Sequence, residues 1–170
     1  VCFDKERGMV AIDDLQKILL LQDFTEPMLE ELSPLVQSRE CREREIIFNE
    51  NDPAEYFFAL KRGKIILEVE VSPRVVMSLG SVKSGNSFGW SALSPSDRTH
   101  KSNALCTEPC EVFSVAGAEF LSLLERHREA GYRVMQNIFA IFKRRLERRT
   151  FQLINVIRNH PNMKDLVQEP

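Results

Sequence analysis

The stretch Leu79-Gly80-Ser81-Val82-Lys83-Ser84-Gly85-Asn86-Ser87-Phe88-Gly89-Trp90-Ser91-Ala92-Leu93 decides how the rest of the chain is read. Gly80, Gly85 and Gly89 punctuate it, and punctuation of that density marks turns and close backbone approaches rather than an uninterrupted element. Upstream lies a run of strand signals. Ile46 and Phe48 alternate with Ile47 and Asn49, and Asn49 to Pro53 is a turn cluster. Tyr56 to Leu60 is a buried-strand candidate, and Lys61 to Lys64 turns the chain at Gly63. Ile65, Leu67, Val69 and Val71 then alternate with Ile66, Glu68 and Glu70, the period of two that marks a half-buried strand. Val75 to Val82 leads into the glycine segment. Ser102 to Cys106 and Glu111 to Val115 complete the strand set.

Helical spacing brackets these strands. Residues 11 to 22 place Ile12, Leu15, Ile18 and Leu19 on one face, with Asp13 and Asp14 in the first turn. A second short helix is expected after Thr25, which can cap it, with Pro27 in its first turn and Met28, Leu29 and Leu32 as its apolar face. From Ala116 the period is helical again, with Phe120, Leu121 and Leu124 on one face and Gly131 weakening the join to the last helix. Residues 132 to 158 read as one long helix with apolar positions near a 3.5-residue period, interrupted at Arg149. The expected fold is α+β: an antiparallel, jelly-roll-like β-roll flanked by N-terminal helices and a C-terminal helix pair whose second member is long. The expected organisation is an extension over 1–10, a β-roll with flanking helices over 11–127, a dimerisation helix over 128–158 and a tail over 159–170. The seam expected to pair with a second copy comprises Val134, Met135, Ile138, Phe142, Leu146, Leu153 and Val156. Its first turns are expected on the roll and the rest at the dimer.

Composition fits a globular domain: 170 residues, 43% apolar and 28% charged. No apolar run approaches the ~20 residues of a membrane helix, so no membrane partner is expected. The net charge of −2 conceals an uneven distribution. Arg128 to Arg158 carries eight Lys/Arg against two Asp/Glu, on an otherwise acidic chain. A charge run alone has no base-reading geometry, so a solvated helix face is preferred and nucleic acid is not expected as a partner of this chain alone. Cys2, Cys41, Cys106 and Cys110 lack the paired spacing of a zinc site and read as inert thiols of a reducing cytoplasm. His100, His127 and His160 fall on a loop, a helix and the tail, and no nucleophile–base pair is evident, so no catalytic residue is assigned and an enzyme is not expected.

Phe88-Gly89-Trp90-Ser91-Ala92-Leu93 resembles the phosphate cassette of the cyclic-nucleotide-binding domain of the catabolite activator family, which runs Gly-x-x-Phe-Gly-Glu-x-Ala-Leu with Arg-Ser/Thr-Ala about ten residues on. Tyr56 to Ile65 resembles that family's strand-turn-strand, and Cys110 to Val115 its last strand. The resemblance spans roughly residues 11 to 158. It implies a sensing module in which a short helix's free N–H groups, an Arg and a Glu hold a cyclic phosphate and its ribose. The implied ligand residues are Gly89, Trp90, Ser91, Ala92, Arg98, Thr99, His100 and Lys101. Trp90 stands at the Glu position, and an indole nitrogen only donates. His100 falls at the Arg position, with Arg98 two residues before it and Lys101 one after. A slip of the Ser94–Asp97 loop would bring Arg98 inward. Otherwise His100 faces the phosphate, although such a histidine more often lies on the surface. Asn51 and Arg44 stand where the family carries turn glycines. The resemblance therefore implies a regulatory module that binds a nucleotide or small anion weakly, or not as cyclic AMP, and signals through a homodimer helix. The alternatives are a ligand-free dimerisation scaffold, and the sensor part of a transcription regulator lacking its helix-turn-helix, for which the dozen residues after Arg158 are too few. No cofactor beyond a cyclic nucleotide or small anion is implied.

Overall fold

A computed structural model describes residues 9–159; most of the expected 1–10 extension and all of the expected 159–170 tail except Asn159 lie outside the described residues. The chain divides into two units, residues 1–132 and 133–170.

Among the described residues the first unit is built on eight strands: β1 (Gln37–Cys41), β2 (Ile46–Phe48), β3 (Tyr56–Arg62), β4 (Lys64–Ser72), β5 (Val75–Lys83), β6 (Ser87–Phe88), β7 (Asn103–Cys106) and β8 (Cys110–Ala116). They form two four-stranded sheets, ordered β1-β8-β3-β6 and β2-β7-β4-β5, and every described strand pair is antiparallel. The side chains between them are apolar. Phe48, Phe58, Leu60, Ile65, Phe88, Ala104 and Val112 belong to one buried cluster. This is the expected β-roll, and it follows from the alternation: Phe58 and Leu60 of β3 enter the roll, while Phe57 and Ala59 turn to the helices.

Those helices are α1 (Ile12–Gln16), α2 (Glu26–Leu32) and α3 (Gly117–Arg126). Leu15, Ile18, Leu21, Leu32 and Phe120 meet Phe57 and Phe113 on the outer face of the first sheet. Lys61 fastens α1 to that sheet, lying 2.9 Å from Asp14 and 2.7 Å from Glu111. The helix expected over residues 11–22 stops at Gln16. Ile18 adopts an extended backbone, and the Leu19 N–H donates to the Gly85 carbonyl at 2.9 Å instead of continuing the helical ladder. Residues 19–21 form only a 3-10 turn. Thr25 occupies the cap position of α2, but its side chain makes no capping bond.

The strand β1 has no counterpart in the sequence pattern. Gln-Ser-Arg-Glu-Cys lacks apolar alternation, yet it pairs along its whole length with β8, from Gln37 opposite Ser114 to Cys41 opposite Cys110. A polar, charged sequence suits a sheet edge, where it discourages further pairing. The join of the C-terminal helices also differs from the expectation. It is at His127, which leaves helical geometry at φ −109° and ψ 64°, and not at Gly131. Gly131 lies inside α4 (Arg128–Asn159), 32 residues long. The second unit comprises this helix from Arg133 onward. None of the described helices is long and apolar enough to cross a membrane.

Candidate functional site

The cassette begins where β6 ends. Gly89 has a left-handed backbone, φ 73° and ψ 31°, and heads a 3-10 helix over Trp90–Leu93. A Cβ on Gly89 would stand 2.6 Å from the Phe58 ring and 3.3 Å from the Tyr56 carbonyl oxygen, so only glycine fits without displacement. Arg44 and Asn51, expected where turn glycines are usual, both adopt left-handed backbones, with φ of 66° and 68°. Gly89 and these two upstream turn positions thus share the left-handed backbone, although Arg44 and Asn51 carry side chains there.

Residues 98–100 are drawn against the turn before β3. The Ala54 N–H donates to Arg98 O at 2.8 Å, the His100 N–H to Asp52 O at 2.9 Å, and the Asn51 N–H to His100 O at 2.8 Å. Pro53 and Thr99 form a bridge between the same segments. This pairing fixes the register of the loop, with consequences for each candidate ligand residue. Arg98 is exposed, and its Nε donates to the Ser94 carbonyl at 3.1 Å. The register slip that would bring it inward has not occurred. Lys101 is exposed and pairs with Asp97 and the Thr99 hydroxyl, each at 2.7 Å. His100 is the residue turned inward, only 4% exposed, which corrects the expectation of a surface histidine. Its ring lies parallel to Phe48 at 3.6 Å between centroids and 6.4 Å from Phe58. Burial lowers its pKa to about 4 against the smaller opposing pull of Asp52, so the imidazole at the Arg position is neutral at physiological pH.

Beside His100 opens a cavity of about 190 Å³, whose walls include Phe48, Tyr56, Phe58, Asp52 and Glu55. Sequence reading assigned none of these five to the site; Asn49 to Pro53 was legible only as a turn. The Asp52 carboxylate accepts from the Asn49 backbone N–H at 2.9 Å and its amide at 3.1 Å, which holds its pKa below the usual carboxylate value. Among the described residues no lysine or arginine lines the cavity.

Trp90 is not among the lining residues. It rests against Phe57 on the outer face of β3, with centroids 5.0 Å apart. Phe57 stacks on Phe120 of α3 at 5.3 Å, and Phe120 on Phe24 at 6.3 Å. Ala92 is buried, Ser91 half-buried. The cassette reaches α3 by backbone as well. A Cβ on Gly117 would lie 2.3 Å from the Ala92 carbonyl oxygen, and the Gly117 N–H donates to Glu55 O at 2.9 Å.

In the second unit, Val134 and Ile138 are buried, whereas Met135, Phe142, Leu146, Leu153 and Val156 are exposed. Phe139, absent from the expected seam, is 70% exposed. Met135, Phe139, Phe142, Leu146, Arg149, Leu153 and Val156 follow strict four-three alternation, so the exposed seam runs through Phe139 and not Ile138.

Comparison with solved structures gives the same fold throughout. A cyclic nucleotide-binding protein from Geobacter metallireducens is 24% identical over 81% of this chain and 99% of its own, with a TM-score of 0.68. The catabolite activator protein of Thermus thermophilus is 20% identical over 81% of this chain and 62% of its own, with a TM-score of 0.66. The c-di-GMP-responsive global regulator CLP of Xanthomonas campestris is 18% identical over 86% and 74%, with a TM-score of 0.70. A search of curated protein sequences finds no match. Residues 38–127, which hold β1 through α3, match the family model of the cyclic nucleotide-binding domain, and this chain belongs to that family.

Proposed function

We propose that this chain is a non-catalytic regulatory module of a reducing compartment, that it takes cyclic AMP weakly or not at all, and that it signals as a homodimer through the exposed seam of α4. The observation that carries the ligand half is His100. A neutral imidazole stacked on Phe48 occupies the position where the resemblance implies a phosphate-binding arginine. Arg98 and Lys101 are engaged elsewhere, and the acidic residues Asp52 and Glu55 border the cavity. Among the described residues, a cyclic phosphate there would meet acidic residues and no cationic fork.

The output half rests on two contacts and one pattern. Glu55 borders the cavity and its carbonyl accepts from the N–H of Gly117, the first residue of α3, so a ligand there acts on a residue bonded to that helix. The Trp90–Phe57–Phe120 stack gives the cassette a second hold on the same helix. The four-three seam of α4 is the pattern a coiled-coil partner uses. A ligand regulates such an arrangement only by binding one helix arrangement better than the other. The stack of His100 on Phe48 also favours a second reading, in which the module binds no ligand and serves as a dimerisation scaffold.

Calorimetry with cyclic AMP and cyclic GMP is the test. The expected result is no saturable heat up to roughly millimolar ligand; tight, stoichiometric binding overturns the ligand half. Light scattering at micromolar protein is expected to give twice the chain mass, and a clean monomer overturns the dimer half.

A further inference from the structure

Three cysteines meet inside the roll. Cys41 ends β1, Cys106 ends β7 and Cys110 begins β8. All three are free thiols, at most 3% exposed, and belong to one buried cluster. The backbone brings them together from both sheets. Cys41 stands directly opposite Cys110 in the β1–β8 ladder. The turn that follows Cys41 is tied to Cys106: the Arg44 N–H donates to the Cys106 carbonyl at 2.8 Å, and the Cys106 N–H donates to the Glu45 carbonyl at 2.9 Å. The Cys41 and Cys106 thiols hydrogen-bond to each other. That contact, ahead of every other influence, holds the Cys41 thiol below its ordinary pKa and pushes that of Cys106 up. The Cys110 sulfur is engaged by backbone, 3.2 Å from the Glu108 carbonyl oxygen and 3.5 Å from that of Lys64. Among the described residues no such group is arranged to hold a metal ion, so the chemistry open to the cluster is that of the thiols themselves.

We propose that Cys41 and Cys106 are a reversible thiol–disulfide pair whose closure staples one sheet of the roll to the other. Its oxidant is a low-molecular-weight disulfide. The Cys41 thiolate attacks one sulfur of that molecule, its S–S bond breaks, and one small thiol leaves with the proton that Cys41 gave up. Cys106 then attacks the Cys41 sulfur, expels the second small thiol with its own proton, and closes the protein bond. Two protein thiols are oxidised, and one small disulfide is reduced to two thiols. Entry is through β1. Among the described residues this strand has a single strand partner, β8, and Cys41 is its last residue. The end of an edge strand opens locally at less cost than the middle of a sheet. Closure also encloses a long loop, and every residue that lines the cavity beside His100 lies within it. In a reducing compartment the pair rests open, and an oxidising excursion closes it. This pairing is independent of what the cavity takes.

The test is to incubate the reduced, folded full chain with 2-hydroxyethyl disulfide and to follow it by intact and tandem mass spectrometry. The expected product is an intramolecular Cys41–Cys106 bond, lighter than the reduced chain by two hydrogens and reopened by dithiothreitol. Trp90 emission is expected to stay unchanged, and the thermal midpoint to rise by about 5 °C or more. Cys110→Ala is expected to close like wild type, whereas Cys106→Ala is expected to stop at a mixed disulfide on Cys41. The proposal is overturned if the bond in wild type maps to Cys110, if it forms only after unfolding in denaturant, or if closure lowers the midpoint. Fragmentation of the wild-type product assigns the bonded sulfurs even where an alanine variant does not fold.

Discussion

The two faces of β3 carry different work. Phe58 points into the roll, where it meets Phe48 and Phe88 at 5.5 and 5.2 Å and walls the cavity beside His100. Phe57, its neighbour, points out, where it links Trp90 to Phe120 at 5.0 and 5.3 Å. One strand thus separates the surface that would contact a ligand from the surface that holds α3. The cassette straddles both: Gly89 presses on Phe58 from one side, and Trp90, the next residue, packs on Phe57 from the other. The unusual residue at the Glu position therefore belongs to the helix side of the strand, and the unusual residue at the Arg position, His100, belongs to the pocket side.

The largest effects come from removing either ring. Phe57 and Phe58 are 3% and 2% exposed, and Phe→Ala at either is expected to cost about 3–5 kcal/mol in chemical denaturation. The two variants should differ in what they disturb. Trp90 is the only tryptophan, so its emission reports the helix side alone. Phe57→Ala is expected to red-shift that emission in the folded protein, and Phe58→Ala to leave it close to wild type. Equal shifts in both variants would break the separation of the two faces.

A pH titration reaches the pocket side without mutation. The His100 pKa falls from 6.5 to about 4 on folding because its charged form is desolvated. Between those values the unfolded chain holds a proton that the folded chain refuses. Stability is therefore full above pH 6.5, falls as pH drops toward 4, and suffers no further loss from this group below that. The expected loss is about 3 kcal/mol. His100→Phe keeps a stacked ring and is expected to flatten the curve over this window. A His100→Phe curve as steep as wild type would assign the acid sensitivity to other groups. Trp90 emission should stay constant through the window until unfolding begins.

Much of this division was visible in the chain, and the rest was hidden for identifiable reasons. The roll followed from period-two alternation in Ile65 to Val71 and from the glycines at 80, 85 and 89, since these are local constraints. The left-handed turns at Arg44 and Asn51 followed from their places in the motif. By contrast, β1 is a strand only because β8 pairs with it, which its polar residues do not announce. His100 is buried because residues 98–100 pair with 51–54, 48 positions away for His100 and Asp52, and nothing near His100 encodes that pairing. Trp90 could be read as a pocket-filling or a packing residue until the side of β3 it faces was known. Ile138 and Phe139 are adjacent apolar residues, and a loose 3.5 period accepts either; only strict four-three alternation selects Phe139.

The smallest effect tests the point at which the two faces meet. Gly89→Ala adds one methyl in a left-handed backbone, and that methyl would stand 2.6 Å from the Phe58 ring. The backbone conformation alone costs about 1–3 kcal/mol for a residue with a side chain. The ring is a side chain and can retreat, and it borders the cavity beside His100. Gly89→Ala is therefore expected to lower stability by about 1–3 kcal/mol and to shift the NMR resonances of Phe58 and His100. Trp90 sits one residue away in sequence but across the strand, so its emission is expected to change little. A large change at Trp90 with none at His100 would mean that the cassette acts on the helices alone, and the pocket face of β3 would lose its link to the glycine.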